Sequence, residues 1–303
     1  MLAPFGRRLA EVTRNVPSGG YRIFSALDRE GPEPRAGQFY MLSAAERWSA
    51  RDERPFLGRA FSVAEARPHC EGVALDFLLA GVGPGTERLA GLEPGEGLWL
   101  AGPLGQPFSA PAELRAATAG AILVGGGIGV APLAIWRRAL AAAGVPTRVL
   151  LGFRDREHSG GLDLFASERE APQGGGAAGQ LDSGPSAKLQ LCSEVRLASE
   201  DGHAGHRGYV TDLLAVLLEG DDAATAAVYA CGPPPMLEAV RRLCGERRVA
   251  CELAMEAPMA CGFGACMGCA VPLAEGGYMR LCLDGPVVDA SRIETALVPG
   301  SEH

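Results

Sequence analysis

Four of the nine cysteines of this 303-residue chain stand close together near its C-terminal end, as Cys261, Cys266, Cys269 and Cys282. Their spacing, C-x4-C-x2-C-x12-C, matches the plant-type [2Fe-2S] site, in which one glycine-rich loop supplies three thiolates and a following strand supplies the fourth. Structural zinc sites usually pair their ligands as two CxxC units, and this segment has one such unit. The spacing therefore predicts a [2Fe-2S] cluster, a one-electron carrier, in preference to structural zinc.

Three glycines lie between these cysteines, at positions 262, 264 and 268. Because glycine tolerates positive φ, the loop can curl around a cluster and direct backbone N–H groups at its sulfurs. Such hydrogen bonds are among the factors that set a cluster's reduction potential. Four cysteines elsewhere are expected to be buried small hydrophobic residues: Cys70, Cys192, Cys244 and Cys251.

A glycine-rich turn separates an apolar strand from an amphipathic helix in the segment LVGGGIGVAPL, residues 123–133. Gly126, Gly127 and Gly129 leave bare backbone that can approach a pyrophosphate at the positive end of the helix. Proline at position 132 interrupts the full G-x-G-x-x-G pattern. This loop alone therefore suits a plain tight turn as well as a nucleotide.

A second motif, CGPPPM at residues 231–236, follows another predicted strand. Ligands of parallel sheets bind at the carboxyl ends of the strands, so the two motifs can hold the two ends of a dinucleotide. We expect Gly232 and Pro233 to frame that site. Cys231 is either an inert core thiol or a catalytic neighbour of the nicotinamide ring, and the residues alone leave both interpretations open.

Five residues of the N-terminal segment could bind a flavin, which would link the predicted nicotinamide site to the predicted cluster. Nicotinamides exchange hydride and [2Fe-2S] clusters take single electrons, whereas a flavin does both. In GRAFSV, Arg59 offers a cation for a pyrophosphate, and Phe61 and Ser62 can stack on and hydrogen-bond to an isoalloxazine. In GVGPGTERL, Gly85 and Thr86 offer an N–H and a hydroxyl to the same phosphates. Each alone also suits a turn or a surface charge, but together they favour a flavin.

The elements that must position these residues fall into three parts. Short β-like runs separated by glycine and proline turns predict a small antiparallel barrel. A strand, glycine turn, helix and strand then form a βαβ unit, which implies a parallel sheet. We predict an α/β plus β protein with a flavin-binding barrel at 1–112, a nucleotide-binding α/β domain at 113–248 and a small cluster domain at 249–303. The last is expected to need its metal in order to fold.

Composition excludes several classes of protein. Apolar residues make up 47% of the chain and charged residues 21%, as in folded globular proteins. A net charge of −8 argues against a nucleic-acid partner. No apolar run predicts a membrane span or a signal sequence, so we expect a cytoplasmic protein whose thiols stay reduced and do not form disulfides.

The Gly/Ser/Pro-rich stretch 171–187 is expected to be a flexible surface insertion.

Taken together, the motifs resemble those of the ferredoxin-reductase-like flavoproteins: an arginine-aromatic-serine signature at 59–62, the nicotinamide loop GGGIGVAPL and the late CGPPPM. Within that superfamily the chain is most similar to the electron-transfer subunits of NAD-dependent, two-subunit dihydroorotate dehydrogenases. The specific points are GPLGQPF at 102–108, close to that family's GPLGNGF, MACGFGACMGC at 259–269, and CLDGPVVDA at 282–290, close to its CKDGPVF. Gln106 and Pro107 depart from the family's Asn-Gly.

This resemblance implies an electron relay in pyrimidine biosynthesis. Dihydroorotate would be oxidised on an FMN-containing catalytic subunit, and electrons would pass through the [2Fe-2S] cluster and FAD to NAD+, in a heterotetramer of two copies of each subunit. The implied FAD contacts are Arg59, Phe61, Ser62, Gly85 and Thr86. The implied NAD contacts are Gly126, Gly127, Gly129, Cys231, Gly232 and Pro233. Glu200 or Asp201 would accept from the adenosine ribose and favour NAD over NADP.

Two other functions stay open at this stage. One is a diaphorase subunit of another complex, such as an NADH-dependent ferredoxin:NADP oxidoreductase, a hydrogenase or a sulfite reductase. The other is a non-redox, nucleotide-binding regulatory protein with structural zinc. No candidate base for dihydroorotate is evident, so we expect the chain alone to be inert toward it. The rim of the cysteine loop, with Phe263 and Met267, is expected to meet the partner, although Phe263 also suits a core position.

Overall fold

The computed structural model describes residues 6–46, 48, 57–114, 120–165, 195–220 and 225–298. The predicted insertion at 171–187 and Cys192 lie outside the described residues. Within these ranges, no helix is both long enough and apolar enough to cross a bilayer.

The N-terminal part is a closed antiparallel barrel, as predicted. Its strands are β1 (Arg8–Ser18), β2 (Tyr21–Asp28), β3 (Phe39–Ala44), β4 (Arg59–His69), β5 (Gly72–Leu79) and β6 (Gly97–Leu104). They close in the order β1-β2-β5-β4-β3-β6. Tyr40 and Phe77 are fully buried inside and meet edge to face, with ring centroids 5.8 Å apart. Helix α1 (Pro84–Ala90) follows β5.

The second part is a parallel sheet flanked by helices, which confirms the predicted α/β fold. In chain order its elements are β7 (Gly120–Gly126), α2 (Ala131–Ala142), β8 (Thr147–Phe153), β9 (Val195–Ser199), β10 (His206–Arg207), α3 (Val210–Leu217), β11 (Ala226–Cys231), α4 (Pro234–Arg247) and β12 (Ala250–Ala254). The strands lie in the order β10-β9-β8-β7-β11-β12. Every residue of β7 is buried, as expected for a strand covered on both faces.

The C-terminal segment leaves this sheet and returns to it. It contains β13 (Ala270–Pro272), β14 (Tyr278–Arg280), α5 (Leu281–Asp284) and β15 (Val287–Asp289). β13 and β14 form a separate hairpin, whereas β15 pairs antiparallel with β12, where Ala254 faces Val287. The predicted boundary at 248/249 falls just before β12, a strand of the large sheet. We therefore propose that the cluster segment spans residues 255–286.

Polar contacts join the barrel to the sheet. Ser109, in the connection between them, donates its backbone N–H and its hydroxyl to Glu252 of β12 at 2.9 Å and 2.6 Å. The Tyr229 hydroxyl of β11 donates to the Ser109 carbonyl at 2.8 Å. Burial raises the pKa of Glu252, although the Ser109 hydrogen bonds oppose that shift. Arg138 of α2 pairs with Glu65 of β4 across the same junction.

One cysteine prediction is wrong. Cys70 is exposed, because it lies in the two-residue turn between β4 and β5 rather than in a core. Cys244 and Cys251 are buried, as predicted.

Candidate functional site

Two of the residues predicted to bind a flavin meet where β4 and α1 begin. The Arg59 guanidinium lies against Gly85, where a Cβ atom would stand 2.9 Å from the Cζ and Nε atoms of the arginine. Arg59 Nη1 donates to the Leu57 carbonyl at 2.7 Å, which holds the side chain over this turn. Any side chain at position 85 would therefore displace the cation.

Thr86 lies in the same turn, but the backbone already uses its hydroxyl. Thr86 Oγ1 accepts from the N–H groups of Val82 at 2.9 Å and Gly83 at 3.1 Å. The hydroxyl thus shapes the turn that presents Gly85. Its role as a direct phosphate donor stays a prediction.

Phe61 and Ser62 lie on opposite faces of β4, since side chains alternate along a strand. Phe61 packs with its neighbour Val63 in the barrel core. Ser62 pairs in register with Phe39 of β3, which packs in a core shared with strands of the large sheet. The arginine-aromatic-serine signature therefore has its aromatic ring in the barrel and its hydroxyl on the side of the nucleotide domain.

The two predicted nucleotide loops meet at the carboxyl ends of β7 and β11. A Cβ atom at Gly129 would lie 2.6 Å from both Cα and N of Gly232. A Cβ atom at Gly126 would lie 2.5 Å from Met236 Sδ and 3.0 Å from Pro233 Cδ. The glycines are thus needed for the close approach of the two loops. Gly127 alone among these loop glycines has positive φ, 53°, where the chain turns toward α2.

Cys231 ends β11 and pairs in register with Gly125 of β7. Burial, with a smaller effect of the Glu256 charge, raises the pKa of this thiol well above its usual value. At neutral pH Cys231 is therefore an uncharged thiol beside the loops. Because only a thiolate is strongly nucleophilic, it is a poor nucleophile there. The predicted contact with the nicotinamide stays a prediction, and covalent attack by this sulfur is disfavoured.

The acidic turn after β9 lies beside the end of β8. Glu200 N donates to the Phe153 carbonyl at 3.1 Å, and Asp201 N donates to the Arg154 carbonyl at 3.3 Å. Asp201 is held by His203, whose backbone N–H donates to its carboxylate at 3.0 Å. That bond and the contact with the His203 ring lower the pKa of Asp201. Both acidic side chains are exposed at the carboxyl edge of the sheet.

The four clustered cysteines lie close enough for their thiols to affect one another electrostatically. The Cys266 thiol helps to lower the pKa of Cys261, and the Cys269 thiol raises that of Cys282, on which the charge of Cys261 also acts. Four neighbouring cysteines are the ligand set that a [2Fe-2S] cluster requires. Within the described ranges, no three His, Cys, Asp or Glu side chains converge around a single ion.

Gly262 and Gly264 have positive φ, as predicted, whereas at the third glycine the left-handed turn is taken by its neighbour Met267, with φ 59°. The Gly268 N–H donates to Cys266 Sγ at 3.5 Å.

Partial burial raises the pKa of the Cys261 thiol, but the N–H groups of Phe263, Cys266 and Ala265, together with the Cys266 thiol, lower it to about 6. Burial and the Cys269 thiol raise the pKa of Cys282 to about 12, and the Gly264 N–H opposes this rise. The loop thus supplies the donors to sulfur that iron–sulfur clusters use.

The cysteine loop rests on the barrel. A Cβ atom at Gly262 would lie 2.6 Å from Met41 Cγ of β3 and 3.3 Å from Leu104 Cδ1 of β6. Met41 pairs with Ala60 of β4, between Arg59 and Phe61. The first cysteine of the loop therefore lies one strand away from the flavin signature.

Two residues to which the sequence analysis gave no role hold the cysteine segment, Gln106 at the stretch after Cys282 and Arg280 at the loop itself. Gln106, after β6, donates its Nε2 group to the Leu283 carbonyl at 2.9 Å and its backbone N–H to Gly285 O at 2.5 Å. Arg280 of β14 donates Nη1 to the Gly264 carbonyl at 3.1 Å. Their closeness in sequence to recognised motifs was the one available signal, and it does not specify these contacts.

The outer rim of the loop is exposed and partly apolar. Cys266 is exposed, Met267 is 53% exposed and Leu283 is 38% exposed. Phe263 is half-buried. Of the two residues predicted to form the rim, Met267 is the one that reaches the surface.

Solved structures share this combination of barrel and parallel sheet. The chain superposes on the NADH-dependent reduced ferredoxin-NADP oxidoreductase with a TM-score of 0.73 and 23% identity, over 95% of this chain and 90% of that one. It also superposes on a ferredoxin NADP+ reductase from Neisseria gonorrhoeae, with a TM-score of 0.56 and 14% identity, over 80% of this chain and 91% of that one. The fold is therefore ferredoxin-reductase-like.

Sequence comparisons identify the family within this fold. Residues 256–294 match the family model described as the iron–sulfur cluster binding domain of dihydroorotate dehydrogenase B. The dihydroorotate dehydrogenase B (NAD(+)), electron transfer subunit, of Caldanaerobacter subterraneus is 30% identical over 92% of this chain and 94% of its own length. A probable subunit of the same name from Methanopyrus kandleri is 33% identical over 94% and 91%. The chain belongs to the family of electron-transfer subunits of NAD-dependent dihydroorotate dehydrogenase B.

Proposed function

We propose that this chain carries electrons from an FMN-containing subunit, where dihydroorotate is oxidised to orotate, to NAD+. The carriers would be a [2Fe-2S] cluster bound by Cys261, Cys266, Cys269 and Cys282, and FAD in the barrel. The observation that carries the proposal is the contact between the cysteine loop and β3. The contact with Met41 places the cysteine loop one strand away from β4, which carries Arg59, Phe61 and Ser62. Electron transfer between two carriers requires them to be close.

In this scheme, bound FAD would exchange hydride with NAD and single electrons with the cluster. The chain's own residues would bind and orient the reactants. Arg59 and the Gly85 backbone would hold the FAD phosphates, and Phe61 would contact the ring system from the barrel side. Ser62 faces the sheet, from which the nicotinamide would approach. Cys231, held protonated, would bring no charge near that ring.

The acidic turn supports NAD as the nucleotide. Glu200 and Asp201 lie at the carboxyl edge, where a dinucleotide binds such a sheet. A carboxylate accepts from a ribose hydroxyl and repels the 2′-phosphate of NADP. Since Asp201 is already held by His203, Glu200 is the better candidate. Glu200→Gln should reduce the preference for NADH over NADPH in kcat/KM, and an unchanged ratio would exclude Glu200.

The partner would dock on the exposed rim of the cysteine loop. Met267 and Leu283 offer apolar contact beside the exposed Cys266, so a partner's flavin could approach the cluster there. We propose two copies of each subunit in the complex. Reduced thiols, which the cluster requires, suit a cytoplasmic location.

The ligand assignment can be tested on the purified full chain. We expect iron and acid-labile sulfide in equal amounts, two of each per chain, with flavin absorption near 450 nm on which iron–sulfur bands are superimposed. Cys282→Ser should remove the iron and sulfide. Cys70→Ser changes an exposed cysteine outside the loop and should keep both. A colourless protein containing zinc would instead support the regulatory alternative.

The partner assignment needs a reconstitution experiment. The chain is mixed with an FMN-containing dihydroorotate dehydrogenase subunit, and orotate and NADH are measured together. We expect both products only when both subunits are present, in a 1:1 ratio. A chain that holds FAD and iron but forms no orotate with any such subunit would belong to another diaphorase complex.

A further inference from the structure

Arg280 lies at the end of β14, two residues before Cys282. Its Nη1 donates to the Gly264 carbonyl at 3.1 Å, inside the loop that carries the other three cysteines. The side chain is 37% exposed, and its Nε stands 4.0 Å from the Asp284 carboxylate. That carboxylate also accepts from the Arg280 backbone N–H at 2.9 Å, so both ends of the residue are fixed.

The carbonyl that Arg280 contacts belongs to the peptide group between Gly264 and Ala265. The same peptide group contributes the Ala265 N–H, which is one of three backbone N–H groups that favour the thiolate form of Cys261. A guanidinium hydrogen bond to the oxygen of a peptide polarises it and strengthens donation by its N–H. Arg280 therefore acts on Cys261 through one peptide group, while its own charge stays beside the loop.

We propose that Arg280 is a positioning residue that raises the reduction potential of the cluster. It does so by polarising the Gly264–Ala265 peptide and by placing a positive charge near the thiolates. The inference rests on the proposed assignment of the four cysteines as ligands. Reduction adds one electron and no proton, so the cluster becomes more negative. Donors to sulfur and a nearby cation favour that reduced state.

The test is a redox titration of the holoprotein, followed by the EPR signal of the reduced cluster. Arg280→Gln should lower the equilibrium constant for one-electron reduction about tenfold, which is a shift of about −59 mV. The FAD potential, measured in the same titration by absorbance, should stay unchanged. Arg292→Gln removes the same charge from an exposed position after the cluster segment, and it should leave the cluster potential unchanged.

Arg280→Lys separates the peptide effect from the charge. Lysine keeps the charge but cannot reproduce the planar guanidinium donor, so we expect a smaller fall, about threefold. An Arg280→Gln protein with the wild-type potential, or a shift equalled by Arg292→Gln, would overturn the inference. If the Arg280→Gln protein loses its iron, the cluster potential of Arg280→Lys becomes the test of the inference. A wild-type cluster potential in Arg280→Lys would refute the effect through the peptide group. Failure of the ligand assignment is distinguishable, because the wild-type protein would then lack the EPR signal altogether.

Discussion

Replacing Gly129 by alanine tests whether the contact between the two glycine loops serves nucleotide chemistry. The new Cβ atom would lie 2.6 Å from Gly232 Cα and N and 2.7 Å from Cys231 C. These are backbone atoms that cannot rotate away, so reaching ordinary contact needs a separation of about 0.8 Å. Misplacement of positioning groups by about 1 Å costs on the order of 100-fold in rate. We expect kcat/KM for NADH to fall about 10- to 100-fold.

The assay is reduction of ferricyanide by NADH, supported by stopped-flow reduction of the bound FAD. Overpacking of this kind costs about 1–3 kcal/mol, which an ordinary domain tolerates, so flavin and iron content should stay at the wild-type level. Gly245→Ala is the matched control, because Gly245 lies in α4 and its Cβ would meet nothing within 4 Å. Wild-type hydride transfer in Gly129→Ala would refute the argument that close loop packing positions the nucleotide.

Three further outcomes are expected. Cys269→Ser should stop electron flow between the partner and NAD while NADH diaphorase activity persists, because hydride exchange with FAD needs no cluster; loss of both would mean that the segment needs its metal to fold. Arg59→Ala should weaken FAD binding about tenfold or more in a fluorescence titration, since it removes a charge-assisted contact, and an unchanged Kd would contradict the assignment. Glu238 accepts from Arg241 and from the Ala296 N–H, and these bonds lower its pKa from 4.5 to about 2. Its ionised form therefore stabilises the fold above about pH 4.5 and ceases to do so as the pH falls toward 2. Glu238→Gln should lower stability by about 1–2 kcal/mol at pH 7 and have little effect at pH 2, as thermal unfolding at both pH values would show.

The elements that carry the site follow from local sequence patterns. The continuous apolar run of β7 matches a strand buried on both faces, and the glycines after it match a turn into a helix. The cysteine spacing needs no tertiary information, because three of the four residues lie in one loop. These features are set over short stretches of chain, where periodicity and residue type are informative.

Contacts between distant segments could not be predicted in this way. The sequence around Met41 does not indicate that this side chain packs against Gly262, because the contact depends on how the cysteine segment folds back onto the barrel. That the Thr86 hydroxyl accepts from the N–H groups of its own turn was not evident from the sequence either, and its predicted role toward a phosphate stays a prediction. The boundary before β12 could not be set either, since a five-residue strand that is apolar except for Glu252 suits both the sheet and the cluster segment.

The return of the chain at β15 makes the cluster segment separable in a topological sense. Ala254 and Val287 are paired across β12 and β15, so the segment between them begins and ends at neighbouring points, like an enlarged hairpin loop. A short turn could join these two strands without changing the strand order of the sheet. The barrel and the large sheet would then remain as a continuous scaffold, and removal of the iron–sulfur connection would also release its backbone contacts with residues 292–294. Such an architecture would allow one reductase frame to be combined with different electron donors.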